Sequence, residues 1–136
     1  MSIKDKVFYI GIGQGGGNLA QGLENKGYPT LAINTSKEDL NTLTIKHKYH
    51  IVGGEGCSKD RSIGRDLIRK DFPNISTQIK NHAGDAEIIF VGYTSGGGTG
   101  SSQGPVLVDI LTMHPDYKDK IICSVVILPS NKESIQ

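Results

Sequence analysis

Glycine constrains this chain more than any other residue. It supplies 18 of 136 residues, and most of them fall in three clusters: Gly11 to Gly17, Gly53 to Gly56 and Gly96 to Gly104. Each cluster follows a short apolar run: Val7-Phe8-Tyr9-Ile10, Tyr49 to Val52, and Glu87 to Tyr93. Glycine gathered at the ends of apolar runs marks places where the backbone must turn sharply or approach a ligand closely. A chain of this length holds one compact domain with a real core.

The segments between the clusters read as alternating strands and helices. Leu19, Ala20 and Leu23 recur at helical spacing over Gly16–Lys26, and Gly27 closes that helix as a C-cap. Thr30–Ile33 is a second strand. Ser36 caps a short helix, Lys37–Leu43, with Asp39 three residues on. Ser62–Phe72 carries Ile63, Leu67 and Ile68 on one face; Pro73 is expected to interrupt it, and Ile75–His82 to resume. Ser101–Met113 forms a helix with Pro105 near its first turn, and Ile121–Leu128 is a fifth, nearly continuous apolar strand. Strands apolar on both sides, alternating with helices, predict an α/β fold: a parallel sheet flanked by helices, Rossmann-like in its connections. Ligands of such sheets bind at the carboxyl ends of the strands, where all three glycine clusters converge.

The first loop, Gly11-Ile12-Gly13-Gln14-Gly15-Gly16-Gly17-Asn18, turns backbone N–H groups toward a phosphate, and the following helix N-terminus adds about half a positive charge. It satisfies GxGxxG, but a dinucleotide site wants an acidic residue at the end of the second strand, and Ile33 is followed by Asn34-Thr35-Ser36. The second loop, Ser95-Gly96-Gly97-Gly98-Thr99-Gly100-Ser101-Ser102-Gln103, again joins a strand to a helix. Its glycines offer a row of backbone donors, and the Thr99 and Ser101 hydroxyls add more. No GxxxxGK[ST] occurs, and neither loop holds a lysine. Phosphate charge is therefore met by backbone dipoles and a divalent cation.

Gly96-Gly97-Gly98-Thr99-Gly100-Ser101 closely resembles the signature loop of the tubulin/FtsZ superfamily; the pattern ends in a further glycine, where this chain has Ser102. The first loop also resembles the family's, with Gln14 as in tubulin. Asn34-Thr35 resembles the second nucleotide loop. Gly56 to Arg65 resembles the third, with Ser58-Lys59 where FtsZ has two glycines. Pro129 to Glu133 resembles the start of the ribose-binding loop. The wording of Ile33 to Leu40 and of Tyr49 to Cys57 is most similar to TubZ, the plasmid and phage branch. The resemblance runs from Val7 to Glu133.

This resemblance implies a GTP- and GDP-binding, Mg2+-dependent GTPase that self-associates head to tail into filaments and serves plasmid or phage DNA partition, with a DNA-binding adaptor as a further partner. Gln14, Gly15, Gly16, Gly17 and Asn18 would bind the nucleotide with Gly97, Gly98, Thr99, Gly100 and Ser101, and Glu133 would hold the ribose. Gln14 would lie near the phosphates and magnesium, and Asn18 near the ribose or base. Residues 1–136 would be the N-terminal part of the GTP-binding domain. A central helix, a C-terminal domain and the acidic loop that completes hydrolysis on the adjacent subunit would lie beyond Gln136, so no catalytic residue is assigned within the chain. Two other readings stay open: a non-catalytic truncated relative that regulates filaments, and a dinucleotide-binding oxidoreductase domain built on Gly11 to Gly16.

Composition adds exclusions. A net charge of +1 gives no basic field for direct nucleic-acid binding. Cys57 and Cys123 form no metal-spaced pair, and the four histidines are dispersed. Met1 to Lys6 is polar and no apolar run approaches a membrane span, so a cytoplasmic protein without a membrane partner is expected.

Overall fold

The computed structural model describes residues 3–53, 61–96 and 99–128. In chain order they form β1 (Val7–Ile12), α1 (Gly13–Asn25), β2 (Thr30–Asn34), α2 (Lys37–Asn41), β3 (Lys48–His50), α3 (Arg61–Ala83), β4 (Ile88–Thr94), α4 (Thr99–Met113) and β5 (Ile121–Ile127). The five strands make one parallel sheet in the order β3-β2-β1-β4-β5. The parallel α/β reading therefore holds. Among the described residues no helix is long and apolar enough to cross a membrane.

Side chains alternate along each strand, so the sheet feeds two cores. Phe8, Ile10 and Ile12 of β1 point with Ile89 and Val91 of β4 into the larger core. There they meet Ile68, Ile75 and Ile79 of α3 and Leu107 and Leu111 of α4. Tyr9 and Ala32 point the other way, against Ala20 of α1 and the Leu40–Ile45 segment. From β1 the chain steps outward to β2 and β3, and from β4 it steps the opposite way to β5. Right-handed crossovers then put α1 and α4 on opposite faces.

One expectation needs correction. Pro73 does not interrupt its helix: α3 is continuous from Arg61 to Ala83. An interior proline costs about 3 kcal/mol of helix propensity. Here Ile68 and Phe72 before it, and Ile75 and Ile79 after it, all sit in one core, so burial of both halves outweighs the cost. Pro73 itself lies on the exposed side. β5 is the edge strand among the described residues, and Ile121 and Val126 are 58% and 47% exposed. Other local readings hold. The Ser36 hydroxyl accepts from the Asp39 amide at 3.1 Å and caps α2.

Candidate functional site

β1 and β4 lie side by side, yet their connections leave in opposite directions. That divergence opens a crevice at the carboxyl ends of the two central strands, the standard place for a ligand in such a sheet. The first and last glycine clusters sit on its two sides.

The start of α1 is laid directly on sheet backbone. Gly13 holds φ 76, a conformation that strains any side chain. A Cβ on Gly16 would lie 2.4 Å from the Gly92 carbonyl oxygen of β4. One on Gly11 would lie 2.1 Å from the Gly16 carbonyl oxygen. Gly15 meets the end of β4: its Cβ would be 2.3 Å from Thr94 Cγ2. The two loops are thus in contact at Gly15 and Thr94, immediately before the Ser95–Ser102 loop. Helix geometry leaves the first N–H groups of α1 without intrahelical partners, facing the crevice with the positive end of the helix dipole. Gln14 and Asn18, four residues apart, share the exposed side of this turn, while Gly16 and Gly17 are buried.

On the other side α4 starts at Thr99, with Ser101 half-buried in its first turn. Ser102 is buried and its φ is not positive, so the residue standing in the glycine position carries no backbone strain. Its hydroxyl lies 2.9 Å from where a Cβ on Gly64 would be. Next to it Gln103 is fully buried. Its Nε2 donates to the Gly64 carbonyl at 3.0 Å, and its Oε1 has no partner among the described residues. These contacts join the starts of α3 and α4.

At the end of β2 the Asn34 side chain is committed to the turn. Its Oδ1 accepts from the Ser36 amide at 3.0 Å, and its Nδ2 reaches Asp39 at 3.5 Å. His50 Nε2 lies 3.0 Å from the Thr35 carbonyl. Among the expected site residues, the structure therefore brings Gln14 to Asn18 and the start of α4 to one edge. Gly97, Gly98 and Glu133 fall outside the described residues, as does most of the third loop. Sequence reasoning missed Tyr9 and Thr94, and it named Gly64 and Gln103 only as members of the third and second loops, not as partners that join α3 to α4.

The whole of residues 6–136 matches the model of the tubulin/FtsZ family, GTPase domain. The chain belongs to the tubulin/FtsZ family. It is 33% identical over 140 residues to the tubulin-like protein CetZ of Pyrococcus abyssi, a match covering 96% of this chain and 38% of that relative. It is 35% identical over 136 residues to the tubulin-like protein TubZ of a Clostridium botulinum C phage, covering 98% and 37%. The solved structure of Clostridium botulinum phage c-st TubZ, truncated at its C-terminal tail, superposes with a TM-score of 0.79 at 35% identity over 95% of this chain and 43% of that one. The GDP-bound CetZ1 monomer from Haloferax volcanii gives 0.77 at 26% identity, covering 94% and 43%. This chain thus spans well under half the length of these relatives, and TubZ and CetZ stand equally near.

Proposed function

We propose that residues 1–136 form the nucleotide-binding part of a GTP-dependent, filament-forming protein of the tubulin/FtsZ family. The observation that carries this is the contact between Gly15 and Thr94, which sets two glycine-rich strand-to-helix junctions side by side at the sheet's carboxyl edge. GTP or GDP phosphates lie between the first turn of α1 and the loop entering α4. Backbone N–H groups from Gly15 to Gly17 and from Gly97 to Gly100 face them, with the Thr99 and Ser101 hydroxyls. Asn18 serves the ribose or base and Glu133 the ribose hydroxyls. The family match and the GDP carried by the CetZ1 relative support the choice of nucleotide.

The donor set fits a magnesium nucleotide. The loops carry no lysine to neutralise phosphate, and no cluster of three His, Cys, Asp or Glu among the described residues forms a protein-only metal cage. A magnesium ion would ride on phosphate oxygens beside Gln14 and offset their charge. The protein's own part is to position phosphates and withhold bulk from the cradle. Orientation of the attacking water falls to an acidic loop of the next subunit in a head-to-tail filament, so the isolated chain turns over near background. The segments worded like TubZ favour plasmid or phage DNA partition through an adaptor, in the cytoplasm.

Calorimetric titration with GTP and with NAD tests the reading. GTP binding that a chelator weakens and that Gly98→Val abolishes, with no NAD binding, is the expected result. NAD binding, or unchanged GTP affinity in folded Gly98→Val, overturns it.

A further inference from the structure

We propose that Tyr9 is a positioning residue that holds the phosphate-binding turn of α1 onto the sheet, an inference that rests on the nucleotide-binding reading above. The first turn and a half of α1, Gly13 to Asn18, contains four glycines, and its only two side chains, Gln14 and Asn18, are exposed. Nothing in the turn itself can key it into a core. Glycine also makes such a segment the costliest to order. The anchor has to come from beneath, and Tyr9 supplies it.

Tyr9 sits in the middle of β1 on the α1 face, paired with Phe90 of β4. Its ring lies across Gly92: a Cβ there would be 1.9 Å from the Tyr9 hydroxyl oxygen and 2.6 Å from its Cζ. The missing side chain of Gly92 is the slot that lets the phenol reach the helix. The hydroxyl donates to the Gly16 carbonyl at 3.3 Å, its one partner among the described residues. The bond is long for an O–H donor, but Tyr9 is only 4% exposed, and a buried hydroxyl without a partner is costly. Burial pushes the phenol above its ordinary value, so it stays protonated and remains a donor across the pH range of the folded protein.

The peptide plane carrying the Gly16 carbonyl is rigid, so fixing its oxygen fixes the last glycines of the turn. The free N–H groups at the helix start then keep their aim before a nucleotide arrives. Preorganisation of this kind acts on residence time more than on encounter.

The test is Tyr9→Phe in the full chain, which keeps the ring over Gly92 and removes only the donor. Tyr49→Phe is the control. That residue loses a 2.6 Å bond to Asp71 between β3 and α3, away from the crevice. Association and dissociation of a fluorescent GTP analogue are followed by stopped flow, and amide exchange at Gly13–Asn18 is measured without nucleotide. Tyr9→Phe should release nucleotide about three to ten times faster, with unchanged association and faster exchange confined to the α1 start. Tyr49→Phe should change neither. Equal effects of the two variants, or wild-type release and exchange in Tyr9→Phe, overturn the proposal. Nucleotide binding absent from the wild-type chain overturns the reading beneath it. Wild-type exchange at Gly13–Asn18 in Tyr9→Phe overturns the anchoring independently of any ligand.

Discussion

Helix α1 and helix α4 both start at the same sheet edge, and they are seated in opposite ways. The start of α1 rests backbone on backbone, with Gly11, Gly16 and Gly92 in mutual contact and one tyrosine hydroxyl beneath them. The start of α4 is held through side chains, with Ser102 and Gln103 filling the gap toward Gly64 of α3. The first seam is closed because side chains are missing from both partners. The second is closed because one partner lacks a side chain and the other carries one. Where the family pattern has a glycine on α4, this chain has Ser102, whose hydroxyl faces Gly64 of α3. A seam of the first kind tolerates no added atom. One of the second kind tolerates exchange, provided the total volume is kept.

The largest expected effect breaks the α1 seam. Gly16→Ala forces a Cβ to within 2.4 Å of a carbonyl oxygen that belongs to the central sheet. It should cost about 3 kcal/mol or more, read as a drop in the urea midpoint with an unchanged slope. A variant as stable as wild type would show that the helix can lift off the sheet freely.

The next effect sharpens the contrast. Gly64→Ala and Ser102→Gly should each cost about 1 kcal/mol, the first by crowding the Ser102 hydroxyl and the second by placing glycine inside α4. Combined, they exchange which side of the interface carries the glycine and should restore wild-type stability, a coupling of about 2 kcal/mol in a double-mutant cycle. Simple additivity would mean that the two positions do not share the space.

A smaller effect of opposite sign comes from Gly22, on the same helix as Gly16 but with nothing within 4 Å of its would-be Cβ. Gly22→Ala should stabilise by about 0.5–1 kcal/mol. Helical glycine is then shown to be costly where it is free and required only where the backbone touches.

The smallest effect lies at the opposite end of the sheet. His47 and His82 stack with ring centroids 3.6 Å apart. Burial, and then the neighbouring His47, lower the His82 pKa below its ordinary 6.5. The unfolded chain therefore takes up the proton first, and stability is full above about pH 6.5 and falls as pH drops toward the folded value. His82→Asn should flatten the thermal midpoint across that window. A midpoint that falls equally in the variant would assign the acid loss to other groups.

Most of the fold was legible because it is written in short-range patterns. Apolar runs gave the strands, Ser36 gave its cap, and glycine marked the strand-to-helix junctions. The break at Pro73 was misread because local propensity says nothing about a core that grips both halves of a helix. At the candidate site, the place of Gln14 to Asn18 at the sheet edge was legible because glycine is conspicuous. The role of Tyr9 and the pairing of Gly64 with Gln103 were not, since each depends on a neighbour elsewhere in the fold.

The order β3-β2-β1-β4-β5 also has a consequence for how the protein is made. A ribosome delivers β1, α1, β2, α2 and β3 before any of β4 exists, so the strand that ends at the sheet's centre begins life as its margin. Until β4 docks beside it, α1 lacks Gly92 to rest on and Gly15 lacks Thr94 to meet. The candidate site is therefore completed only after the longest crossover among the described residues, through α3, has closed. A nascent chain halted before residue 88 would hold all of its first glycine loop and yet lack the β4 side of the crevice, so the crevice exists only once the two halves of the sheet have joined.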